Sequence, residues 1–236
     1  MSSPTTPASI GPGEFFPVVG VGPHEKPWPE GDQYDPELLL NGDRRNVLDH
    51  YRYWTVEAIV ADLNTKRHKL QIAIENWQHD LNIGSIVRTA NAFNVSAVHI
   101  VGKRDWNKRG AMVTDRYLTV MHHPTIEDFA KHCKEQSLPI IGIDNVPGSK
   151  QLEPADLPES CVLLFGQEGA GMSDEGIAVC EVLYEINQYG STRSMNASAA
   201  GAIAMYHWAL QHLPRKDFSS SSNPSTARST IAKVAS

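Results

Sequence analysis

Short apolar segments alternate with amphipathic segments along the middle of the chain, and this alternation predicts a sheet covered by helices. The apolar segments of strand length lie at residues 70–75, 96–102, 138–144, 161–166 and 182–187. Between and after them, the spacing of apolar residues predicts helices over 82–93 and 125–136, a short helix within 172–180 and a long Ala-rich helix over 196–212. Strands with two apolar faces, separated by helices, are typical of parallel sheets. The sequence therefore predicts the α/β class, with a mostly parallel sheet and helices on both faces.

The two ends of the chain differ from this central pattern. Residues 1–36 contain eight of the 15 prolines, and residues 216–236 are rich in Ser and Thr. Because neither segment has enough apolar side chains to offset the entropy lost on ordering, we expect a disordered arm and a disordered tail. The apolar patch at 15–19 leaves open that part of the arm docks on the body. Between arm and sheet, residues 37–66 predict a helical extension of one or two helices, and the main domain then spans 67–215.

Composition and cysteine content exclude several classes of protein. The longest apolar runs fall far short of the roughly 18 residues that a membrane-spanning helix needs. The N-terminus lacks a basic segment followed by an apolar one, so no export signal is predicted. The cysteines are too few and too scattered for a disulfide framework, and the histidines lack metal-ligand spacing. We therefore expect a cytoplasmic protein without a metal or a membrane partner. The residues concerned are Cys133, Cys161, Cys180, His122, His123 and His132.

The charge of the chain is unevenly distributed. Its net value is −6, which by itself argues against a polyanionic partner. Residues 44–116, however, carry 12 Lys/Arg against 7 Asp/Glu. They include a basic loop at 103–109, in which Trp106 has the type of side chain that stacks on nucleobases. The loop is either a solvated charged segment or part of an RNA footprint. In the second case the expected phosphate contacts are those of Arg104, Lys108 and Arg109.

Two segments that follow predicted strands have an unusual composition, and ligand sites of α/β sheets lie in such loops. Residues 75–90 run from an Asn-rich turn into a helix, with Asn82 near its start and Arg88 deeper along it among apolar neighbours. An arginine on a helix is commonly solvated, but this one also suits a phosphate. Residues 165–173 combine three glycines with Glu168. They indicate either a structural turn or backbone that approaches a ligand, and match neither a Walker A nor a dinucleotide fingerprint.

A third segment, residues 186–201, is a polar loop that leads into a helix of small residues. Asn196 or Ser194 is expected to cap that helix. The small residues between 197 and 204 allow another segment to approach closely. They indicate either a close-packed core helix or a tight crossing at a subunit contact, and Gly201 weakens the helix in either case.

In this order and spacing, the three segments resemble the motifs of the SpoU (TrmH-like) family of RNA ribose 2′-O-methyltransferases. The family patterns read approximately N-x-G-x-I-x-R-T/S-A, F-G-x-E-x-x-G-(L/M)-S and I-P-M-x-G-x-x-x-S-L-N-x-S. They appear here at 82–90, 165–173 and 186–198, and the similarity covers about residues 68–214. The resemblance implies the SPOUT α/β fold with a C-terminal trefoil knot, through which the helix at 196–212 packs. It also implies a homodimer with active sites at the subunit interface.

The same resemblance implies roles for individual residues. The cofactor would be S-adenosylmethionine and the substrate RNA, with Arg88 as the catalytic arginine that polarises a ribose 2′-hydroxyl while bound to the adjacent phosphate. Asn82 would hold the loop of the first motif. The other implied catalytic residues are Glu168, Ser194 and Asn196. The implied cofactor contacts are Gly142, Gly166, Ile186, Gln188 and Met195.

The chain departs from the family pattern at two places in the third motif. Asn187-Gln188 stand where the family has Pro-Met, and Met195 stands where it has Leu; the second change conserves volume. The first leaves a catalytically inactive RNA-binding relative as an alternative, and an unrelated α/β enzyme with a nucleotide cofactor is a third interpretation. Large-rRNA relatives often carry a sizeable N-terminal RNA-binding domain. The short extension at 37–66 therefore favours tRNA over rRNA as the substrate.

Overall fold

The computed structural model describes residues 20–78 and 82–214, and its centre is one parallel sheet. The strands of the described residues are β1 (His68–Asn76), β2 (Val95–Gly102), β3 (Val120–His123), β4 (Ile140–Ile143), β5 (Lys150–Gln151), β6 (Val162–Phe165) and β7 (Val182–Glu185). They form a seven-stranded sheet in the order β3-β2-β1-β6-β4-β7-β5. Every pair of neighbouring strands is parallel. The predicted α/β class and the parallel sheet are confirmed.

Helices cover both faces of this sheet, as predicted. The α-helices of the described residues are α1 (Pro36–Asn41), α2 (Val56–Asn64), α3 (Asn82–Ala92), α4 (Ile126–Glu135), α5 (Asp174–Val179) and α6 (Ala197–His212). Side chains alternate between two cores along each strand. Ile72 and Ile74 of β1 pack with α3 and α6, whereas Ala73 packs with α4. The sheet therefore separates an α3/α6 layer from an α4/α5 layer.

Two strands and two helical turns escaped the sequence pattern. β3 has the sequence VMHH at the edge of the sheet, and β5 is two exposed polar residues long. Neither carries the apolar run by which the other strands were found. The short 3₁₀ helices Arg109–Ala111 and Thr114–Tyr117 lie between β2 and β3. Within 37–66 the helices number two, α1 and α2, with the 3₁₀ turn Asp49–Tyr51 between them.

The N-terminal extension is packed onto the domain through its own small core. Tyr51 and Ile59 of the extension are buried against Tyr117, in the segment that follows the basic loop. Residues 20–35 also make backbone hydrogen bonds to this extension; Val21 and Asp43, for example, exchange two at 2.9 Å. This contradicts the disordered arm expected over 1–36 as far as residues 20–35 are concerned. Residues 1–19 and 215–236, where the rest of the arm and the whole tail are predicted, lie outside the described residues.

Helix α6 crosses α3 through its small residues. A Cβ added to Gly201 would lie 3.4 Å from Ile86 Cγ1 of α3, so the small side chain permits close contact within the chain. The core-packing interpretation of the Ala-rich stripe therefore holds for this crossing. The trefoil knot stays a prediction. In the described part of the chain, no helix has both the length and the apolar character needed to cross a bilayer.

Candidate active site

A cavity of about 410 Å³ opens at the carboxyl ends of β4, β6 and β7. Three loops enclose it: the segment after β4, the glycine-rich segment after β6 and the polar segment between β7 and α6. The cavity is lined by Ile143, Asp144, Asn145, Val146, Phe165, Gly166, Gln167, Glu168, Gly169, Ala170, Gly171, Met172, Glu185, Ile186, Gln188, Arg193, Ser194, Met195, Asn196, Ala197 and Ala200. Its volume lies in the usual range for a small-molecule site.

The loop after β6 folds back on itself, and its glycines are needed for this shape. Gln167 and Gly171 exchange two backbone hydrogen bonds of 3.0 Å, and Gly169 and Gly171 both have positive φ. Gly166 is needed for a different reason, namely lack of space: an added Cβ would lie 2.2 Å from the backbone nitrogen of Met172. The glycines thus have a structural role in a turn that also forms the wall of a cavity. The structural-turn interpretation of the sequence is confirmed, and the approach of this backbone to a ligand stays a prediction.

Carboxylates hold this loop from both sides. Glu75, fully buried at the end of β1, accepts hydrogen bonds from the backbone nitrogen of Ser173 at 2.8 Å and from its hydroxyl. Asp144, directly after β4, accepts from the backbone nitrogen of Met172 at 2.7 Å. Sequence reasoning missed both residues as parts of the site. The signal available was a carboxylate at the carboxyl end of an apolar strand, where sites of such sheets lie.

Three side chains from the three motifs meet at the edge of the cavity. Asn82, at the start of α3, donates from Nδ2 to Glu168 Oε2. Asn196 donates from Nδ2 to Asn82 Oδ1 at 2.8 Å and to Glu168 Oε1 at 3.2 Å. Asn196 Oδ1 in turn accepts from the backbone nitrogens of Ser198 and Ala199 and so caps α6. The Glu168 carboxylate therefore receives one amide donor from each of the other two motifs.

The loop between β7 and α6 is anchored at Asn187 and Gln188, which stand where the family has Pro-Met. Asn187 donates from its backbone nitrogen to Glu153 Oε1 and from its side chain to Oε2, each at 3.1 Å. Gln188 lines the cavity and donates to the carbonyl of Arg193 at 3.4 Å. Asn145 donates to the same carbonyl at 2.5 Å. A proline at 187 has neither an N–H nor a side-chain amide, so the contacts to Glu153 depend on Asn187.

Seven of the ten predicted catalytic and cofactor residues line this cavity; Asn82 contacts its edge through Glu168 and Asn196, and Gly142 and Arg88 lie off it. Of the predicted cofactor contacts, the structure brings Gly166, Ile186, Gln188 and Met195 together on the cavity wall, and Glu168, Ser194 and Asn196 join them there. Gly142 does not line the cavity. It lies inside β4, where an added Cβ would be 2.4 Å from Leu183 Cδ2, so the neighbouring Ile143 and Asp144 form the wall instead. Arg88 is exposed on α3 and is not part of the cavity wall of its own chain.

The basic loop is fastened to the same elements. Asn76, at the end of β1, donates to the carbonyls of Lys103 at 2.7 Å and Asp105 at 2.9 Å. Farther on, the loop lies directly against α3, where a Cβ on Gly84 would be 2.9 Å from the carbonyl oxygen of Asn107. The loop and the first motif are therefore held in a fixed relation.

The basic side chains of this loop differ in their surroundings. Lys108 Nζ forms an ion pair with Asp115 at 3.0 Å and lies 5.4 Å from the centre of the Trp106 ring. Arg104 and Arg109 are exposed, and no ion pair within the described residues involves either. Two of the three predicted phosphate contacts are thus available to a ligand, while Lys108 already neutralises a carboxylate.

A histidine cluster lies under α4, away from the cavity. His99 Nδ1 and His123 Nε2 are 2.9 Å apart, and His99 Nε2 is 2.7 Å from Gln71 Oε1. The His132 ring lies 5.3 Å from that of His99. Burial above all, and then the neighbouring His123 and His132, lower the pKa of His99 to about 3. Among the described residues no group of His, Cys, Asp or Glu is arranged to hold a metal ion.

Comparison with known proteins places the chain in a family. The sequence model of the SpoU rRNA Methylase family matches residues 69–206. The chain belongs to this family. That range contains all three motifs, and the SpoU resemblance of the sequence is thereby confirmed.

Curated relatives of this SpoU chain carry names of RNA-modifying enzymes. It is 28% identical over 147 residues to the tRNA (guanosine(18)-2′-O)-methyltransferase of Escherichia coli K12, a match that covers 61% of this chain and 64% of that protein. It is 32% identical over 133 residues to the 23S rRNA (guanosine-2′-O-)-methyltransferase RlmB of Bordetella pertussis, with 53% of each chain covered. The chain thus spans less than two thirds of the length of either relative.

Solved structures share the fold. The TrmH/SpoU tRNA modifying enzyme of A. aeolicus matches with a TM-score of 0.58 and 23% identity, over 66% of this chain and 83% of that one. The SpoU methyltransferase AviRb of Streptomyces viridochromogenes, in complex with AdoMet, matches with a TM-score of 0.54 and 24% identity, over 64% and 63%. At these identities the comparison supports the architecture of the sheet and helices.

Proposed function

We propose that this protein is an RNA ribose 2′-O-methyltransferase that uses S-adenosylmethionine. The observation that carries the proposal is the contact of Asn82, Glu168 and Asn196 at the edge of the cavity, because it joins the three SpoU motifs at one site. The names of the curated relatives support the same reaction class.

The residues around the cavity suit this cofactor. Ile143, Ile186 and Met195 supply apolar surface, and the loop after β6 supplies backbone polar groups next to it. When bound, S-adenosylmethionine supplies an electrophilic methyl group on a positively charged sulfur. The Glu168 carboxylate and Asp144, which lie on the wall, favour a positive charge in the cavity. At the two changed positions, Gln188 lines the cavity and Asn187 anchors the loop to Glu153. The cavity is therefore retained despite the change, which favours an enzyme over an inactive relative.

Arg88 would act on the RNA. A guanidinium remains protonated at neutral pH, so its contribution is electrostatic: it binds the phosphate next to the reacting ribose and polarises the 2′-hydroxyl. Arg88 is exposed and does not line the cavity of its own chain. This supports a homodimer in which the site is completed at the subunit interface. Exposed apolar residues on one side of α6, namely Ile203, Tyr206 and Leu210, are consistent with such an interface.

For the RNA substrate we propose tRNA in preference to rRNA. The match to the E. coli enzyme covers 61% of this chain, and the match to the B. pertussis enzyme covers 53%. The E. coli relative is named as a tRNA enzyme and the B. pertussis relative as an rRNA enzyme, so both substrates belong in the test.

The experiment is methyl transfer from labelled S-adenosylmethionine to purified tRNA and rRNA, followed by nuclease digestion and mapping of the labelled nucleoside. We expect label in a 2′-O-methylated nucleoside of tRNA. Label only in rRNA would overturn the substrate preference. Binding of S-adenosylmethionine without transfer to either RNA would support an inactive relative, and absence of cofactor binding would contradict the proposal as a whole.

A further inference from the structure

The cavity contains one positively charged side chain among its described residues, Arg193, which follows the glycine of the third motif. The other charged residues on its wall are the carboxylates Asp144, Glu168 and Glu185. A ligand with a carboxylate therefore meets three like charges and one opposite charge. Because opposite charges attract and like charges repel, the ligand carboxylate is expected to lie beside Arg193 and away from the three acidic side chains.

The backbone of Arg193 is held in place although its side chain is exposed. Its carbonyl accepts hydrogen bonds from Asn145 at 2.5 Å and from Gln188 at 3.4 Å. The same loop is fixed to Glu153 through Asn187 and to the first motif through Asn196. An arginine on an anchored loop loses less conformational freedom on binding a ligand than one on a mobile loop.

The guanidinium itself is available. No ion pair within the described residues involves Arg193. By contrast, Asp144 already accepts from two backbone nitrogens, those of Met172 and Asn145. Glu168 accepts from Asn82 and Asn196. The cavity thus has an unneutralised cation at one place and hydrogen-bonded carboxylates at others.

From this charge arrangement we infer that Arg193 binds the α-carboxylate of the cofactor's amino-acid end. The inference rests on the proposed function, because S-adenosylmethionine is the ligand that carries this carboxylate. It makes Arg193 a specificity-determining residue: it distinguishes the full cofactor from an analogue without the carboxylate, since guanidinium–carboxylate pairs are charge-assisted hydrogen bonds.

The test measures binding of two ligands by calorimetry: S-adenosylmethionine and decarboxylated S-adenosylmethionine. We expect the unmodified protein to prefer the full cofactor by roughly 1.5- to fivefold, the size of an exposed ion pair. Arg193→Gln is expected to weaken binding of the full cofactor by that factor and to leave the decarboxylated analogue unchanged. Arg193→Lys should restore part of the preference.

Lys150→Gln is the matched control, because it removes the same charge from an exposed residue of β5 that does not line the cavity. This variant should bind S-adenosylmethionine and the decarboxylated analogue with the same dissociation constants as the unmodified protein. Equal weakening of both ligands by Arg193→Gln would mean a general effect on the loop and would overturn the inference. So would unchanged cofactor binding together with weaker tRNA binding, which would assign Arg193 to an RNA phosphate. If the unmodified protein binds neither ligand, the proposed function fails, not only this inference.

Discussion

Arg88 occupies an exposed position in the middle of α3, six residues after Asn82. Asn82 is buried and bound to the other motifs, so the helix fixes Arg88 relative to the cavity while its side chain stays accessible. Asn82 is therefore suited to a positioning role, and Arg88 to a role on the RNA. The two residues belong to one motif but would act on different parts of the reaction.

Arg88→Ala is expected to lower the methyl-transfer rate by about 10²–10³ or more, since it removes one electrostatic contact to the reacting group. S-adenosylmethionine should still bind with its normal affinity, because Arg88 does not line the cavity. Single-turnover transfer to tRNA and cofactor calorimetry check the two statements. Retained turnover would remove Arg88 from the catalytic assignment.

Gly166 is the residue of the second motif with the least room for a side chain. Gly166→Ala places a Cβ within van der Waals overlap of the Met172 backbone nitrogen, which lies 2.2 Å from the ideal Cβ position. We expect a loss of about 1–3 kcal/mol in the free energy of unfolding, the usual cost of overpacking, together with weaker cofactor binding. Urea unfolding and calorimetry measure these effects.

Gly190→Ala is the matched control for this change. No atom lies within 4 Å of a Cβ added at Gly190, and this residue stands in the polar loop near the same cavity. Its stability should be close to that of the unmodified protein. Equal stability of the Gly166 and Gly190 variants would mean that the loop after β6 adjusts more easily than its packing indicates.

At the scale of elements, the hydrophobic pattern predicts the strands and helices whose side chains are buried in the core. The pattern predicts strands β1, β2, β4 and β6 because their residues are nearly all buried. It also predicts α4, where the Thr125 hydroxyl caps the helix by accepting from the Asp128 backbone nitrogen at 3.1 Å. β3 and β5 were missed because edge strands bury less and need no apolar run. Their existence depends on pairing with neighbours that are distant in sequence.

The candidate site was only partly accessible to sequence reasoning for a related reason. The motif residues Asn82, Glu168 and Asn196 are recognisable by type and spacing, but their mutual hydrogen bonds span 86 and 114 positions. Glu75 and Asp144 have no local motif; they matter because their strands end beside the loop after β6. Gly142 does not line the cavity because it lies one position before the end of β4, where its Cα still faces the packed core beside Leu183.

The histidines between β2, β3 and α4 give these elements a predicted pH dependence. The lowered pKa values of His99 and His123 follow mainly from burial, and the groups that face His99 are His123, His132, Gln71 and Phe129. Since the folded pKa lies below the unfolded value of about 6.5, the unfolded chain binds more protons at acid pH. The contribution of His99 to stability is complete above about pH 6.5 and decreases as the pH falls towards 3, and that of His123 decreases in the same direction.

His99→Gln is expected to reduce this acid slope by up to about 1.4 kcal/mol per pH unit, the value for one proton. Urea unfolding at several pH values between 4.5 and 7 provides the slope. His50→Gln, which removes an exposed histidine of the extension, serves as the control and should leave the acid slope in place. An unchanged slope in the His99 variant would show that its protonation is not linked to unfolding.

At the scale of the whole molecule, the net charge of −6 and the basic part at 44–116 have a common explanation. The basic loop is tied to the end of β1 through Asn76 and to the start of α3 at Gly84. It is therefore placed beside the motif that carries Arg88. For the proposed RNA substrate, a positive loop next to the site would attract the polyanion there, while the acidic remainder would disfavour unspecific binding elsewhere.

The salt dependence of tRNA binding distinguishes a phosphate footprint from a solvated loop. Each phosphate contact contributes about 0.7–0.9 to the slope of log K against log salt concentration. Arg104→Gln and Arg109→Gln should each reduce the slope by about that amount, because both side chains are exposed and free of ion pairs among the described residues. Lys108→Gln should have a smaller effect because Lys108 is paired with Asp115.

Lys131→Gln is the control for these variants, since it removes an exposed positive charge from α4, outside the basic part of the chain. Its slope should equal that of the unmodified protein. A uniform small loss for all four variants would indicate long-range attraction without defined contacts. A smaller slope for the Arg104 and Arg109 variants alone would mean that the position of a cation on the structure, and not the number of cations, determines where RNA binds. The negative net charge of the chain would then be compatible with a nucleic-acid substrate.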